Sequence, residues 1–476
     1  MVKDDCDESG SRFPMIRLFK HYVPYAVLFL ALVDLCLLLA AAETAWVIRA
    51  NQIGMHVDYI GNRIWPLFTF AASVQLAAMA VGVYSPEALQ SLRFAIARLI
   101  VAVSLGVIFM AIMAFALPGM TLWRSNSLYA MGLSFGYLAL SRLILGSLIG
   151  SGSFKRRLLV LGAGKRAQRI KDLEARPGSG FVVVGFISLD ESKRVVPEAI
   201  SRSAIYNLAD FVEKLGTSEV VLALEERRNA LPLQDLLRIK TTGVHVNDIS
   251  SFLERETGRV DLDSVNPSWL IFSDGFSSGR RLSGIAKRLF DVVVSALLLV
   301  VALPLIALFA VAVKLESKGP AFYRQQRVGR YGEPFSLFKL RSMQSDAEAE
   351  GKAIWAAKND PRVTRIGKFI RKVRIDELPQ TWNVLKGDMS FVGPRPERPE
   401  FVADLEKQLP YFTERHIVKP GITGWAQINY PYGASLDDSR QKLEYDLYYA
   451  KNYTPFLDLV IILPTIRVVI WPEGAR

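Results

Sequence analysis

Two adjacent carboxylates, Asp376 and Glu377, lie in Arg374-Ile-Asp-Glu-Leu-Pro-Gln380, among arginines and shortly before the turn Gly393-Pro394-Arg395-Pro396. Neighbours on a helix project about 100° apart, so these two cannot share one proton face to face and should do different work. In a displacement at phosphorus, one carboxylate can attack while the other helps to hold a cation that neutralises a diphosphate. An isolated Asp-Glu pair more often caps a helix and meets solvent; here the surrounding arginines and the stiff turn favour chemistry. Pro394 and Pro396 fix φ, so Arg395 is presented with little entropy left to lose on binding a phosphate. Lys339 and Arg341, two apart in a predicted strand, should share one face, and with Arg288 and Arg374 they are candidate clamps for phosphate groups. Attraction to lipid headgroups, about 1 kcal/mol per charge, is the alternative use of the same cations.

The elements that must position these residues follow from composition. The 476 residues are 51% hydrophobic and 22% charged, with a mean hydropathy of +0.22 and a net charge of +12. Disorder and fibrous folds are excluded, and the length allows two to four domains. Cys6 and Cys36 are too few for a disulfide framework, and His21, His56, His245 and His416 are scattered without ligand spacing, which argues against zinc and haem. Arg280 to Ile375 holds 19 Lys/Arg and 7 Asp/Glu, so the whole excess charge sits in one region built to meet anions.

Four apolar runs fill the first third: Tyr22 to Ala42, Trp65 to Val83, Leu99 to Pro118 and Ser127 to Gly150. Each is about 20 residues, the length that crosses ~30 Å of hydrocarbon, and four transmembrane helices are expected over 22–150. Lys3, Arg12, Arg17 and Lys20 precede them and Lys155, Arg156, Arg157, Lys165 and Arg166 follow, so both ends of the bundle should face the cytoplasm, with 1–21 as a cytoplasmic tail. Asp34 and Arg142 interrupt the apolar runs, either along a polar pathway or simply facing the bundle interior.

Residues 156–279 alternate buried strands (Arg157 to Gly162, Phe181 to Ile187, Glu219 to Leu224) with helices, as a Rossmann-like parallel sheet does. Gly162-x-Gly164-x-x-Ala167 turns from strand into helix and could lay backbone N–H groups on a pyrophosphate. The acidic residue such a site wants falls on Asp190, somewhat late, and a domain that keeps the fold without the ligand is the other reading. The fifth apolar run, 289–313, has cations on both flanks and Pro304 past its middle. Both ends therefore read as cytoplasmic, and a re-entrant helix bent at Pro304 is expected rather than a span. Phe456 to Trp471 reads as an interfacial helix.

After this run come Phe322-Tyr-Arg-Gln-Gln-Arg-Val-Gly329, Phe338-Lys-Leu-Arg-Ser-Met343, Asn359-Asp-Pro-Arg-Val-Thr-Arg-Ile-Gly367, the segment around Asp376, Asn383 to Pro396, Lys419-Pro-Gly-Ile-Thr-Gly-Trp-Ala-Gln427 and Tyr445 to Asn452. Together they resemble the bacterial sugar transferase family, the polyprenyl-phosphate phosphoglycosyl transferases, collinearly from about Lys287 to Tyr453. The layout resembles its large membrane members: a four-helix bundle, a Rossmann-like α/β domain, and a monotopic α/β catalytic domain over 280–476. Ile422 stands for the family's usual Leu, and Leu303 for the Ser common before the kink proline.

The resemblance implies transfer of a hexose 1-phosphate from a UDP-sugar to undecaprenyl phosphate, releasing UMP, at the start of exopolysaccharide, O-antigen or capsule synthesis. It makes Asp376 the nucleophile of a phosphosugar-aspartyl intermediate and Glu377 a Mg²⁺ ligand. It places the protein in the bacterial cytoplasmic membrane with the catalytic domain on the inner face, among membrane lipid, as a homodimer, with no nucleic acid partner. Two other classes were weighed. A membrane-anchored nucleotide-sugar dehydratase or dehydrogenase needs a Tyr-x-x-x-Lys pair and an acidic ribose contact, neither convincing in 156–279. A non-enzymatic polysaccharide assembly protein leaves the Asp376-Glu377 pair unexplained.

Overall fold

The computed structural model describes residues 15–18, 21–55, 61, 63–84, 92–116, 122–150, 155–176, 179–190, 194–225, 231–265, 281–344, 360–431, 433 and 435–470. Lys3, Cys6, Arg12, Lys20, His56, Pro118, Arg280, Asn359 and Trp471, named above, lie outside them, as does most of the expected tail 1–21. The chain divides into two compact units, one reaching to Phe252 and the other running from Leu253 onward.

In the first unit, two short paired strands, β1 (Met15–Leu18) and β2 (His21–Pro24), precede helices α1 (Tyr25–Gln52), α2 (Ile64–Val81), α3 (Leu92–Ala116) and α4 (Arg124–Gly150). Small, aliphatic and aromatic side chains, among them Leu38, Ala42, Ala45, Phe70, Ala71 and Val74, make the interior, while Phe29, Leu32, Leu140 and Leu143 point outward. That inside-out apolar exposure is what a bilayer permits. Among the described residues four stretches are long and apolar enough to cross a membrane: Val27–Gln52, Ile64–Val81, Ser125–Leu145 and Gly284–Glu316. The expected third span lies in α3, whose apolar stretch Ala95–Ala111 is shorter. Asp34 and Arg142 meet each other: both guanidinium nitrogens donate to the Asp34 carboxylate, at 3.0 and 2.6 Å, and the Tyr84 hydroxyl adds a third bond at 2.8 Å. Asp34 and Arg142 thus compensate each other's charge, as burial in hydrocarbon demands.

The same unit contains a five-stranded parallel sheet in the order β5-β4-β3-β6-β7, formed by β3 (Arg156–Leu161), β4 (Phe181–Ser188), β5 (Ile200–Ser201), β6 (Glu219–Leu222) and β7 (His245–Asp248). Its helices are α5 (Lys165–Glu174), α6 (Leu208–Lys214), α7 (Leu233–Thr241) and α8 (Ile249–Thr257). The strand order reverses between β3 and β6, the crevice where such sheets take ligands. Gly162 sits there with φ +127°, and a Cβ on it would lie 2.6 Å from the Ala223 carbonyl oxygen. Close approach of two strand ends thus suffices to require glycine.

The second unit begins earlier than the boundary expected at 279/280. From Leu253 the chain is grafted onto a later helix, α14 (Leu436–Asn452): Val260 N donates to Glu444 O at 3.0 Å, and Glu254 takes Lys451 at 2.6 Å and Asn452 at 2.8 Å. Then follow α9 (Arg281–Glu316), the antiparallel pair β8 (Phe322–Val328) and β9 (Pro334–Leu340), α10 (Arg365–Lys372), a 3₁₀ turn (Ile375–Glu377), α11 (Gln380–Lys386), β10 (Ser390–Val392), α12 (Pro399–Gln408), a 3₁₀ stretch (Phe412–Ile417), β11 (Gly421–Thr423), α13 (Trp425–Asn429), α14 and α15 (Pro455–Ile470). β10 and β11 pair in parallel. Val392, Phe412, Leu443, Leu447, Tyr448 and Leu457 centre the core.

The fifth apolar run forms one helix, α9, of 36 residues with Pro304 inside it. Near its start Lys287 donates to Val392 O at 3.0 Å and pairs with Asp458 at 2.6 Å, Arg288 donates to Val384 O and Leu385 O at 2.7 Å each, and Asp291 accepts from Ser390 Oγ and Phe391 N. At its other end Glu316 accepts from Arg365 N at 2.8 Å. Between them Ala302, Ile306 and Val313 pack with Leu340 and Ile370. Leu289, Val293, Leu297, Val301, Leu308, Val311 and Leu315 stay exposed along the rest of the helix.

Candidate active site

Asp376 and Glu377 are placed by a sharp reversal after α10. Thr364 caps that helix, its Oγ1 accepting from Gly367 N at 2.9 Å. Arg374 follows in the left-handed region, φ +60°, a conformation that non-glycine residues hold only when their surroundings enforce it. Ile375 and Leu378 supply that enforcement by packing with Ile306, Leu340 and Ile370. The two acids between them lie on a 3₁₀ turn, not the α-helix expected, so they diverge by about 120° instead of 100°. The consequence is unchanged: they face different partners.

Glu377 faces cations. Its Oε1 accepts from Lys339 Nζ at 3.1 Å and Arg395 Nη2 at 3.0 Å, and Arg374 Nη1 stands 3.5 Å from Oε2. Burial alone would raise its pKa, but Lys339, Arg395 and Arg374 together hold it far below the usual carboxylate range. Lys339 itself is pulled below the ordinary lysine value, chiefly by burial. Asp376 is 8% exposed, and among the described residues its Oδ1 has no hydrogen-bond partner. Burial first, then the Glu377 charge, raise its carboxyl to about 6. At neutral pH the site therefore holds one fully neutralised carboxylate beside one ionised, poorly solvated carboxylate.

The loop carrying Arg395 is held through four consecutive carbonyls. Gly421 N donates to Pro394 O at 2.9 Å, Arg415 Nη2 to Arg395 O at 2.9 Å, Arg327 Nη1 to Pro396 O at 3.0 Å, and Val328 N to Glu397 O at 3.0 Å. Gly393, Gly421 and Gly424 let the two backbones touch, since a Cβ on any of them would collide with the facing main chain. Arg415 is fixed in turn by Asp446 at 2.7 Å. The cluster is thus a rigid arginine loop aimed at an acid pair, with basic side chains around a buried carboxylate.

A family model described as bacterial sugar transferase matches residues 282–472, and one described as a CoA-binding domain matches 79–242. An undecaprenyl-phosphate galactose phosphotransferase of Salmonella typhimurium is 31% identical over 399 residues, 78% of this chain and 80% of that protein. The chain belongs to the bacterial sugar transferase family. Also similar are a UDP-glucose:undecaprenyl-phosphate glucose-1-phosphate transferase of Escherichia coli, 32% identical over 67% of this chain and 69% of its own, and a UDP-N-acetylgalactosamine-undecaprenyl-phosphate N-acetylgalactosaminephosphotransferase of Aeromonas hydrophila, 43% identical over 51% of this chain. The match spans about half, 56%, of the Aeromonas protein's length.

In this chain the expected site residues part company. Lys339, Arg374 and Arg395 converge on Glu377. Arg341 does not: it follows the end of β9, and its guanidinium donates to Ser317 O at 2.8 Å and Lys318 O at 2.5 Å, closing the end of α9. It shares no face with Lys339, because the strand alternation has ended at Leu340. Arg288 caps the carbonyls of α11 instead of meeting the acids. Pro394 and Pro396 act by their carbonyls as well as their rings. Gly162 and Gly164 stand at the sheet's crevice as expected, but the start of α5 receives an internal carboxylate, with Lys165 N donating to Glu225 Oε1 at 3.2 Å and Arg166 donating to Leu224 O at 2.6 Å. Glu225 thus takes one of the amides at the helix start that a phosphate would otherwise meet.

Arg327, Arg415 and Asp446 carry the arginine loop and were not singled out. For Arg327 the signal was present: Tyr323, Gln325 and Arg327 alternate along β8, and Tyr323 pairs in register with Lys339. Gln325 Oε1 accepts from Arg327 at 2.7 Å and its amide donates to Tyr323 at 3.1 Å, so one strand face is a polar ladder beside the site.

Proposed function

We propose that the chain transfers a hexose 1-phosphate, or its N-acetylated counterpart, from a UDP-sugar to undecaprenyl phosphate. The observation that carries this is the buried, unpartnered Asp376 carboxylate beside a Glu377 already neutralised by three cations. Asp376 attacks the sugar-bearing phosphorus, an Asp–O–P bond forms, and the bond to the bridging oxygen breaks to release UMP. An oxygen of the lipid phosphate then attacks the same phosphorus and frees the carboxylate, giving the undecaprenyl-diphosphate sugar. Arg395, Lys339 and Arg374 hold the negative charge that spreads over the equatorial oxygens, in geometry fixed beforehand.

Mg²⁺ fits these residues. Among the described residues no three acidic, histidine or cysteine groups gather, yet this ion commonly takes one or two carboxylates plus substrate phosphates and water. Glu377 would hold it, and it would neutralise charge growing on the departing UMP. The placement of α9 supports a re-entrant helix and an inner-face catalytic domain: residues at both its ends are held by the same unit, so no bilayer need lie between them. The relatives' names support the lipid acceptor and the donor class. The test is to incubate the protein with labelled UDP-glucose, UDP-galactose or UDP-N-acetylgalactosamine without acceptor. A label covalently attached at Asp376 is expected with one of them, and turnover in Asp376→Asn would overturn the assignment.

A further inference from the structure

A second group of cations lies at the other end of α11 from Asp376, where the proposed reaction does not use it. Arg288 donates to the carbonyls of Val384 and Leu385 in the last turn of α11. The helix stops at Gly387, whose φ of +105° is left-handed. A Cβ on Gly387 would lie 3.4 Å from Arg288 Nη2 and 3.5 Å from Lys419 Nζ, ordinary contact distance from each, so the two cations converge on the same helix end.

Lys419 has no hydrogen bond or ion pair among the described residues, although it is only partly exposed. Burial, and then Arg288 and Arg330, push its pKa down; Asp291 and Asp388 offset this in part. Those two acids are already engaged, Asp291 by Ser390 and Phe391 and Asp388 by Lys386 and Asn383. The group is short of an anion. Its depth identifies the kind: Arg288 immediately precedes Leu289 and Phe290, both exposed, at the start of the apolar stretch of α9. With α9 immersed, that is the level of lipid headgroups, where cations meet phosphate.

We propose that Arg288 and Lys419, converging at Gly387, form a seat for the phosphate of a lipid where α9 enters the bilayer. The guanidinium keeps N–H groups beyond the two given to carbonyls, and the ammonium offers three, so two or three phosphate oxygens can be met at once. The inference rests on immersion of α9 and not on the transfer chemistry.

The full chain, purified in dodecyl maltoside, which contains no phosphate, is titrated with dioleoylphosphatidylglycerol and followed by native mass spectrometry. One retained lipid is expected, bound about tenfold more weakly by Lys419→Gln and at nearly full affinity by Lys419→Arg. Lys407→Gln, on the exposed side of α12, should bind as the unaltered chain does. A parallel titration with undecaprenyl phosphate separates the sources: Lys419-dependent retention of either lipid supports the seat and says which phosphate fills it. Equal binding by Lys419→Gln, equal retention of dioleoylglycerol, or displacement of the lipid by equimolar inorganic phosphate would each overturn it. Adduct formation at Asp376, measured on the same preparation, reports separately on the transfer reaction.

Discussion

Asp376 combines two demands that pull in opposite directions. Its carboxyl must be ionised to attack, yet its surroundings favour the proton, raising it to about 6. Adduct formation should therefore fall about tenfold per pH unit below roughly 6 and level off above it, in a single-turnover pH profile. The same shift affects stability. Between the unfolded value near 4 and the folded value near 6 the folded chain binds more protons than the unfolded one, so stability falls as pH rises through that window. Asp376→Asn should abolish adduct formation and raise the melting temperature relative to the unaltered chain by an amount that grows from pH 4 to pH 6. The corresponding stability difference levels off above pH 6 at about 3 kcal/mol. A melting difference independent of pH would contradict the raised carboxyl. Arg415 makes the complementary case: Arg415→Met strands the buried Asp446 carboxylate and the Arg395 carbonyl, and should cost about 3–5 kcal/mol. Adding Asp446→Asn should recover part of that, a coupling readable in a double-mutant cycle of unfolding midpoints. Asp376, Glu377, Lys339, Arg374 and Arg395 were all legible in the sequence, because acids, cations and prolines lay close together in the chain. Arg341 and Arg288 were misplaced for a physical reason. A guanidinium serves a phosphate and a helix-end carbonyl equally well, and which of them it meets is decided by packing.

The elements show the same division between what is local and what is not. Sheet strands and long helices declare themselves by apolar runs: β3, β4 and β6 stand within a residue or two of their expected limits, while α9 contains the run 289–313 and extends beyond it at both flanks. The division between the two units does not, because the graft of residues 253–265 onto α14 is made by long-range pairs such as Glu254 with Lys451. Both are buried, so Glu254→Gln leaves an uncompensated ammonium and should lower stability by about 3 kcal/mol or more in thermal unfolding. An effect below 0.5 kcal/mol would show the graft to be superficial. For α9 the relevant feature is Pro304. If the helix returns to the face it enters, Gly284→Cys and Lys318→Cys, in a chain with Cys6 and Cys36 replaced by Ser, both react with an impermeant maleimide in inside-out vesicles and neither in right-side-out vesicles. Restoring the missing backbone hydrogen bond with Pro304→Leu should favour a straight span, at ~1.5 Å per residue long enough to cross, and separate the two sites. Opposite labelling in the unaltered chain would show α9 to be an ordinary span.

At the scale of the molecule, two sequence quantities describe its relation to the membrane. Hydropathy is concentrated in the bundle and α9, and the net charge of +12 lies wholly in 280–375 around α9. Neither required the fold to be known, since a bilayer sorts residues by polarity and loops by charge. The bundle interior was less legible: Asp34 and Arg142, 108 residues apart, neutralise each other, which turns two apparent membrane liabilities into one bidentate pair between α1 and α4. That pairing bears on topology. A cation needed to compensate Asp34 is not a topogenic charge, so the orientation is carried by Lys3, Arg12, Arg17 and Lys20 before α1 and by Lys155 to Arg157 after α4. The expected outcome is that Lys155→Cys reacts with the impermeant reagent only in inside-out vesicles. Asn51→Cys, exposed at the end of α1, should react only in right-side-out vesicles. Arg142→Met should leave this pattern intact while destabilising the bundle, because it removes the partner of Asp34 without touching the flanking charges. If Arg142→Met instead inverted the labelling, the buried pair, not the flanks, would set the orientation. The single arginine would then contribute to topology what the positive-inside rule assigns to the loops.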